Sequence, residues 1–581
     1  MNLRQHSHNP FNEKFPLVLA LCVLPMLAAC AHAQLIFRGP IVGALTDSSA
    51  RVTIETSAPA IVAIEYSTSL DFSQNVRRSL VGSTTVANHL FTTVDLIELA
   101  PSQRYFLRPV VNNTPSSFLT ERSFRTFPTH AIDTGFTFCF GSCQMQALSK
   151  RRSGVFSQMR KVDPLLFLQI GDWAYPDEAI GANFADSDSL IAKSYEIKYD
   201  PSHGMDSLAA GRGVDYIYDD HDYVGNNADG TSPNKLRAVG GYENYFPHYP
   251  LANAAAGLWH SFTVGNVEFF VLDLRSERSP NAEAIVQQSG SYAFAPPSGH
   301  SIFRGTHTIG EDQKTWLLNS LKRSKARWKV IISSVTWNPS AEQTLPLLVA
   351  YANLKHDASK LYEAVDKWAG FPEDQDSILA FVKREGIKNI IVCSGDVHTG
   401  MMDDGAHSIF PEIVSANLER PNSNLLTQLD SVGLSKYWNR GGQRNDTTNS
   451  YGRITVLTSP KHALLLEVVN EHDSVVAQTL VADSSTSAAV ANVVKPHEIG
   501  VELTDHVTTV FATVTIENDA DARVYIIDEA GHEVRHIADG LSQGGSWKFQ
   551  IGKENLPSGI YFFTLQTKNG QKWSKKFMVV K

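Results

Sequence analysis

The stretch Leu165-Leu-Phe-Leu-Gln-Ile-Gly-Asp-Trp-Ala-Tyr175 is a run of large apolar residues that ends in a glycine, a carboxylate and a phenol. An apolar run of this length, bounded by a turn residue, is typical of a strand buried on both faces of an α/β sheet. The polar residues follow at the strand's carboxyl end, where such sheets bind their ligands. The stretch therefore predicts an α/β domain with a functional site beyond its strand ends.

Similar apolar runs recur through the middle of the chain and alternate with longer segments of helical pattern. The predicted strands are Phe136–Phe140, Leu165–Ile170, Val214–Tyr218, Val267–Leu272, Trp328–Ser333 and Asn389–Cys393. A helix is predicted over Glu311–Arg323, because its apolar residues, among them Trp316 and Leu317, share one face. The segments near 280–310 and 340–375 contain Gly, Pro and Ser and are predicted to form loops over one face of this domain.

The composition is that of an ordinary globular protein. Of 581 residues, 43% are hydrophobic and 19% are charged, which excludes disorder for most of the chain. Lys and Arg total 51 against 60 Asp and Glu, so the net charge of −9 argues against specific nucleic-acid binding. An anionic substrate stays compatible with this charge, since a local metal cluster can outweigh it.

The N-terminus has the features of an export signal. Lys14 precedes the apolar run Phe15–Cys30, which is too short to span a bilayer but suits the core of a signal peptide. Ala31-His32-Ala33 is a signal peptidase site, and Leu27-Ala28-Ala29-Cys30 resembles a lipobox that would leave Cys30 lipidated. No other stretch is apolar and long enough to predict a transmembrane segment.

Cysteine is scarce in the predicted mature chain. Cys22 and Cys30 belong to the leader, which leaves Cys139, Cys143 and Cys393. An odd number predicts that at least one thiol is not in a disulfide. Cys139 and Cys393 lie inside apolar strands and are expected to be buried, whereas Cys143 follows a strand, where a metal could hold it as a thiolate.

Four of the predicted strands end in residues that suit metal chemistry. The four segments are Gly141-Ser142-Cys143-Gln144, Gly171-Asp172-Trp173-Ala174-Tyr175, Asp219-Asp220-His221-Asp222 with Gly225-Asn226-Asn227, and Gly395-Asp396-Val397-His398. Asp and Asn oxygens suit Ca²⁺, while His, Tyr and Cys suit a transition metal. A carboxylate on a Gly-Asp turn can bridge two ions about 3.5–4 Å apart. The conjunction predicts a mixed two-metal site.

This series of motifs resembles the PhoD-like alkaline phosphatase family of metallophosphoesterases, over about residues 34–470. The stretches Phe270–Arg275 and Gly310–Leu317 fit the same resemblance. It implies a four-layer α/β/β/α domain, hydrolysis of phosphomonoesters or phosphodiesters, and an iron ion (Fe³⁺) with calcium (Ca²⁺). The sequence departs from the family at Asp222, where Glu is usual, and at Trp173-Ala174.

The resemblance assigns site residues by position. The implied metal ligands are Cys143, Asp172 and Tyr175 on the iron side, with Asp172 bridging, and Asp220, Asn227 (or Asn226), Asp396 and His398 without assignment to one ion. Asp220 could also hold a neighbouring ligand in place. His221 or His398 is the expected proton donor to the leaving oxygen. Arg275 is expected either to contact the phosphate or to form a surface ion pair.

Both ends of the chain are predicted to be β modules. Alternating strands such as Ala50–Thr56 and Ala60–Tyr66 indicate a sandwich, and Leu99–Val111 resembles the corner and late strand of a fibronectin type III domain. The C-terminal Leu556–Thr567, an Asn-Gly turn and the basic Lys572–Lys581 resemble the type A sorting domain of the type IX secretion system. That resemblance favours cleavage after Ala33 over lipidation at Cys30.

The predicted organisation has five parts: a signal peptide (1–33), a fibronectin III-like domain (34–130), a PhoD-like domain (131–480), a linker (481–504) and a sorting domain (505–581). The predicted function is an exported, secreted or cell-surface hydrolase that uses a metal-activated water on small phosphoesters, with the type IX machinery as its export partner. One alternative is a related fold member that acts on another ester or anhydride bond. The other is an adhesin or binding protein with a vestigial site.

Overall fold

A computed structural model describes most of the chain. The described residues are 36–118, 121–145, 152–305, 312–445, 447–459, 461–484, 500–505, 509–516, 522–529, 531–540, 545–568 and 572–579. The predicted signal peptide, its two processing sites and linker residues 485–499 lie outside them. The chain divides into two compact units, Met1–Ser485 and Thr486–Lys581.

The first described part of the larger unit consists of short strands. These are β1 Ile36–Gly43, β2 Ala50–Thr56, β3 Ala60–Ser67, β4 Arg77–Arg78, β5 Gly82–Thr84, β6 Phe91–Leu96, β7 Arg104–Val111, β8 Thr114–Pro115 and β9 Arg122–Arg125. They form one sheet of β1, β2 and β6 and a second sheet around β3 and β7. The backbone N–H of Ala100 donates to the Tyr105 hydroxyl at 2.9 Å, which ties the turn before β7 back to that strand. The all-β prediction for this segment is confirmed.

The central domain follows and contains two larger sheets. Its strands are β10 Phe136–Gly141, β11 Leu166–Gln169, β12 Gly213–Tyr216, β13 His260–Val264, β14 Val267–Val271, β15 Ile285–Gln288, β16 Ser291–Phe294, β17 Trp328–Ser333, β18 Ile390–Ser394, β19 Gly400–Asp403, β20 Glu412–Ser415, β21 Gly441–Gly442, β22 Ser450–Leu457, β23 Ala463–Asn470 and β24 Val475–Ala482. All six strands predicted from apolar runs are present, with ends within two residues of those expected.

The two sheets bring different strands to the same region. The six-stranded sheet has the order β12-β11-β10-β22-β23-β24, and β10, β11 and β12 are parallel. The seven-stranded sheet has the order β13-β14-β17-β18-β20-β19-β21, with β14, β17, β18 and β20 parallel. Because β10, β11 and β12 run in one direction, the segments that follow them leave the sheet at one edge.

Helices cover the central domain. They are α1 Val155–Val162, α2 Pro176–Ala179, α3 Asp188–Lys198, α4 Gly204–Ala209, α5 Asp220–Tyr223, α6 Lys235–Tyr245, α7 Gln313–Arg323, α8 Ser340–Lys355, α9 Ser359–Val365, α10 Pro372–Glu385 and α11 Leu425–Ser431. The predicted α7 begins after Asp312, whose side chain accepts from the Thr315 N–H at 2.8 Å, and it buries Trp316 and Leu317. Among the described residues, no helix combines the length and hydropathy needed to cross a bilayer.

The prediction of loops near 280–310 and 340–375 is wrong for much of both segments. The first contains the hairpin β15–β16, and the second is mainly the helices α8, α9 and the start of α10. Pro346 lies inside α8 at an exposed position. The Ala, Leu, Glu and Lys residues around it favour helix strongly enough to outweigh one proline. Pro372 occupies the first turn of α10, a position where proline is compatible with a helix.

The smaller unit is a β module. Its strands are β25 Gly500–Asp505, β26 Thr509–Ile516, β27 Ala522–Asp528, β28 Glu533–Ala538, β29 Gly545–Gly552, β30 Gly559–Thr567 and β31 Lys572–Val579. One sheet has the order β25-β26-β29 and the other β28-β27-β30-β31. Val524, Phe563 and Leu565 lie in a core of its own. The β structure predicted for this end of the chain is confirmed.

A buried ion pair joins the N-terminal strands to the central domain. Nη2 of Arg122, in β9, lies 2.6 Å from Oδ1 of Asp206, in α4, and both side chains are buried. Nη1 of Arg122 also donates to the Asp206 carbonyl at 3.1 Å. Removing one partner leaves the other charge buried and unpaired, which is the costly case for an ion pair.

We therefore expect Asp206→Ala to destabilise the larger unit by about 3–5 kcal/mol, because the Arg122 guanidinium would stay buried without a counter-ion. Urea unfolding followed by tryptophan fluorescence measures the change. Lys193→Ala is the control, since its ion pair with Glu196 is exposed and is expected to contribute less than about 1 kcal/mol. Equal losses in the two variants would contradict the assignment.

Candidate metal centre

The four predicted motifs converge in the structure. The backbone N–H of Cys143, after β10, donates to the Gly171 carbonyl, after β11, at 3.2 Å. The N–H of Asp396, after β18, donates to Oγ of Ser142 at 3.2 Å. The segments that follow strands of both sheets are thus tied together directly. The convergence that strand order and motif position predicted is present.

Two groups of potential ligands share one carboxylate. The first group is Cys143, Asp172 and His398, and the second is Asp172, Asp220 and His221. Within each group the ligand atoms all lie within 4.8 Å of one another. Asp172 belongs to both groups, which is the arrangement required of a carboxylate that bridges two cations.

The Asp172 carboxylate shows the need for a cation most directly. Its Oδ2 lies 2.9 Å from the Tyr175 hydroxyl and 3.5 Å from the Cys143 sulfur. Its buried Oδ1 has no hydrogen-bond partner among the described residues. Burial, followed by the nearby charges of Asp220 and Asp219, raises the pKa of Asp172 well above its usual range, although His221 opposes the shift. The residues present therefore fit a bound metal ion.

The Cys143 thiol and the Tyr175 phenol also need a nearby cation in order to ionise. Burial and the charge of Asp172 raise the pKa of both Cys143 and Tyr175 well above their usual values. Tyr175 also lies 3.2 Å from Nε2 of His398. A positive ion would favour the deprotonated forms of all these groups, namely thiolate, phenolate, carboxylate and neutral imidazole, so ion binding and deprotonation are coupled.

Six of the seven predicted metal ligands have left-handed backbone conformations. Their φ angles are Cys143 59°, Asp172 57°, Tyr175 46°, Asn227 54°, Asp396 71° and His398 52°. Non-glycine residues pay roughly 1 kcal/mol or more for this region, and such residues cluster at functional sites. The surrounding structure therefore holds these side chains in positions that their local sequence does not favour.

Asp220 and His221 begin the short helix α5 and, with Asp172, make up the second group of potential ligands. Asp220 accepts hydrogen bonds from the backbone N–H groups of Asn227 at 2.7 Å and His221 at 2.9 Å. Burial would raise the pKa of Asp220, but Arg275 and His221 outweigh it and hold the pKa below its usual value. Burial would lower the pKa of His221, but Asp172 and Asp177 raise it to about 10. His221 Nδ1 lies 2.8 Å from Oδ2 of Asp177.

His398 differs from His221 in its electrostatic surroundings. Burial lowers the pKa of His398 to about 3, with Arg420 and Lys367 acting in the same direction. A neutral imidazole is the form that binds metals. Burial raises the pKa of Asp396 to about 7, although the adjacent Lys367 ammonium opposes the shift.

Arg275 is buried between the carboxylates of Asp219 and Asp366. It is fully buried, and its Nε donates to Oδ1 of Asp219 at 2.5 Å. Its two terminal nitrogens lie 3.0 and 2.9 Å from the Asp366 carboxylate oxygens. The contact with phosphate that the sequence suggested does not follow from this placement. The ion pair that was the other expectation is present, but it is buried rather than at the surface.

A cavity of about 490 Å³ opens onto the centre. Predicted residues line its polar end, namely Asp172, Asp220, His221, Asn227, Asp396 and His398, together with Asn226. The choice between Asn226 and Asn227 therefore stays open. The rest of the wall comes mainly from α8, α9 and the region of α11.

Similarity to known proteins agrees with this geometry. Residues 138–425 match the PhoD-like phosphatase family. This segment is a PhoD-like phosphatase domain. Alkaline phosphatase D of Bacillus subtilis (strain 168) is 26% identical over 288 residues, which are 45% of this chain and 46% of the relative. The match thus spans about half the length of that curated relative.

Solved structures provide a second comparison. A structure described as that of PhoD has a TM-score of 0.56 at 19% identity and covers 78% of this chain and 93% of its own. A purple acid phosphatase from yellow lupin seeds has a TM-score of 0.47 at 12% identity, covering 76% of this chain and 74% of its own. The first of these supports the fold of the PhoD-like phosphatase domain.

The C-terminal module has its own family match. Residues 510–580 match the secretion system C-terminal sorting domain. The sorting domain predicted from Leu556–Thr567 and the basic last strand is therefore confirmed. A domain of this kind indicates export by the type IX secretion machinery.

Several residues around the PhoD-like centre were not predicted to have a role. Asp222 accepts from the backbone N–H groups of Asp172 at 3.0 Å and Trp173 at 2.9 Å, so it fixes the turn that carries the shared carboxylate. Lys367 contacts Asp396, and Glu363 accepts from Nδ2 of Asn227 at 2.9 Å. Asp222 was visible inside a motif, whereas Lys367 and Glu363 belong to the segment interpreted as a loop.

We expect metal content to distinguish the two ligand groups. Asp172→Asn should lower the content of both ions, because its carboxylate belongs to both groups, whereas Cys143→Ser should lower mainly one. Inductively coupled plasma mass spectrometry of the purified variants measures this. Cys139→Ala is the matched control, because Cys139 lies buried in β10 outside the centre. Wild-type levels of either ion in Asp172→Asn would show that the carboxylate is not shared.

Proposed function

We propose that this chain is an exported, metal-dependent phosphoester hydrolase that releases phosphate from organic phosphoesters. The observation that carries the proposal is the pair of ligand groups that share buried Asp172 at the polar end of a cavity. Two adjacent cations suit the charge of a phosphoryl group and of its transition state. The match to PhoD-like phosphatases supports the same reaction class.

The chemistry of the ligands favours different ions in the two groups. We assign Cys143, Asp172, Tyr175 and His398 to iron, since thiolate, phenolate and imidazole suit a transition metal. Asp220 of the second group, together with Asn227 and Asp396 from outside both groups, would supply oxygen ligands for calcium, with Asp172 shared. Bound ions would supply Lewis-acid stabilisation of phosphoryl oxygens and activation of water.

The chain's own residues would position and protonate the substrate. His221 lines the cavity, and Asp177 and Asp172 favour its protonated form, so it is the better-placed donor to the leaving oxygen. Lys367 also lines the cavity and carries positive charge near Asp396. Arg275 acts as a positioning residue, because it binds both Asp366 and Asp219, the first residue of the acidic loop Asp219–Asp222.

The remaining organisation is part of the same proposal. The two large sheets and their helices fit a four-layer α/β/β/α domain at 131–480, preceded by a fibronectin III-like module at 34–130. A signal peptide at 1–33, cleaved after Ala33, and a sorting domain at 505–581 after a linker at 481–504 would direct the protein to the cell surface or the medium. A set of ligand side chains that are buried or half-buried around one shared carboxylate argues against a vestigial site in an adhesin.

Thorough chelation should abolish phosphoester hydrolysis, and adding iron and calcium back should restore it. Asp172→Ala should lower kcat/KM by at least roughly 10³-fold, because both groups lose their common ligand. The assay compares 4-nitrophenyl phosphate with bis(4-nitrophenyl) phosphate, which also separates monoester from diester preference. Asp404→Asn, outside the cavity, is the control. Activity that survives both chelation and Asp172→Ala would overturn the proposal.

An iron site with Tyr175 and Cys143 as ligands should make the protein coloured, since phenolate and thiolate donate charge to ferric iron. Tyr175→Phe should shift or bleach the visible absorption, and Cys143→Ser should weaken iron retention. Absorption spectra recorded with the iron content measure both effects. Tyr199→Phe, a buried tyrosine outside the two groups, should leave the spectrum unchanged. A colourless, iron-free and fully active protein would rule out this assignment.

A further inference from the structure

The cavity over the metal centre is amphipathic. Its polar end holds the candidate ligands, and the remainder is lined by apolar side chains such as Leu347, Leu429 and Trp438, interspersed with polar ones such as Thr344 and Gln428. Its volume, about 490 Å³, lies within the range of roughly 300–1,000 Å³ that is usual for sites that bind small organic molecules. Space beyond the polar end is therefore available for the part of a substrate that is not phosphate.

The apolar walls belong to two separate clusters of packed residues. One wall comes from α8 and α9, where Ala341, Leu348 and Ala364 line the cavity. A second wall comes from α11 and its surroundings, where Leu429 and Trp438 line it. Both clusters contribute to the same cavity, and we call the space between their side chains the apolar slot.

One end of this slot is closed and the other is open. Nε1 of Trp438 donates to Oγ of Ser340 at 3.0 Å, which joins the walls at the start of α8. Leu347 and Val432 are 50% and 48% exposed although they line the cavity. Seven residues of helix separate Ser340 from Leu347, so the apolar wall extends about 10 Å.

An occupant that suits both ends needs an anionic head and an apolar body. Cations held by the acidic ligands would select a phosphoryl group. The apolar side chains of the two walls cannot pair with a hydroxyl group but favour a methylene, and each buried methylene strengthens binding by up to about fourfold.

We propose that the preferred substrates are phosphoesters that carry an extended alkyl or acyl chain, and that the chain lies between α8 and α11. This inference rests on the proposed hydrolase function and specifies its substrate class. Hydrolysis adds water across one P–O ester bond: the water oxygen bonds to phosphorus, and the departing ester oxygen takes up a proton. The alkyl chain of the substrate binds in the slot in both cases, whether it is attached to the departing ester oxygen or to an ester oxygen that stays on phosphorus.

The test measures kcat/KM for two series of dissolved substrates, n-alkyl phosphates and n-alkyl 4-nitrophenyl phosphates, from methyl to octyl and below their critical micelle concentrations. We expect kcat/KM to rise at least roughly tenfold from methyl to hexyl, with up to about fourfold per methylene. Presenting the octyl chain as a monomer or within phosphatidylcholine vesicles distinguishes a free amphiphile from a membrane lipid as the source.

Leu347→Asn with Val432→Asn should lower kcat/KM for octyl esters far more than for methyl esters, and so flatten the series. Both native side chains are about half exposed, so the fold should tolerate the two substitutions, and circular dichroism checks that the variant is folded. Leu354→Asn is the matched control on the same helix, at a position 75% exposed and outside the cavity. A flat series in the wild type, with metal-dependent turnover of the methyl esters, would overturn this inference alone. Absence of turnover for every ester would overturn the proposed function with it.

Discussion

A buried negative charge at Asp172 is the constraint on which the centre depends. A carboxylate removed from water requires a compensating positive charge, and here three aspartates of the next loop increase that requirement. The protein supplies part of the compensation through His221, whose charge lowers the pKa of Asp172, and through Lys367, which forms an ion pair with Asp396. Oδ1 of Asp172 has no partner among the described residues, so this position is left for a cation. The thiol, the phenol and the neutral imidazole around Asp172 become effective ligands only when a cation is present beside that carboxylate.

The surrounding structure resists the repulsion among these carboxylates. Asp222 fixes the backbone of the Asp172 turn, and Arg275 binds Asp219 on one side and Asp366 on the other. Arg275 therefore connects the acidic loop to the helical segment that lines the cavity. Because one buried guanidinium contacts both, the ligands and the cavity wall are held in a fixed relation. The position of the candidate ligands and the shape of the cavity are thus coupled.

The sequence predicted the features that depend on local pattern. Apolar runs identified the strands that carry the site, and the polar residues after them predicted that Cys143, Asp172 and the other candidate ligands would lie together, because a parallel arrangement brings strand ends together. Features that depend on distant contacts were not predictable. Arg275 pairs with Asp366, 91 residues away, and α8 forms in spite of Pro346. The role of Lys367 depends on that helical segment, in which no motif marks a chemical function.

The burial of Cys143 affects how readily its thiol is oxidised outside the cell. Extracellular surroundings are oxidising, and exported proteins seldom retain thiols without forming disulfides. Oxidants attack the thiolate form, and they need access to the sulfur. Cys143 is fully buried, it is not in a disulfide, and burial favours its protonated form. The buried environment that keeps the Cys143 thiol protonated therefore protects it from oxidation before a metal ion binds. Once bound, the ion would itself shield the sulfur.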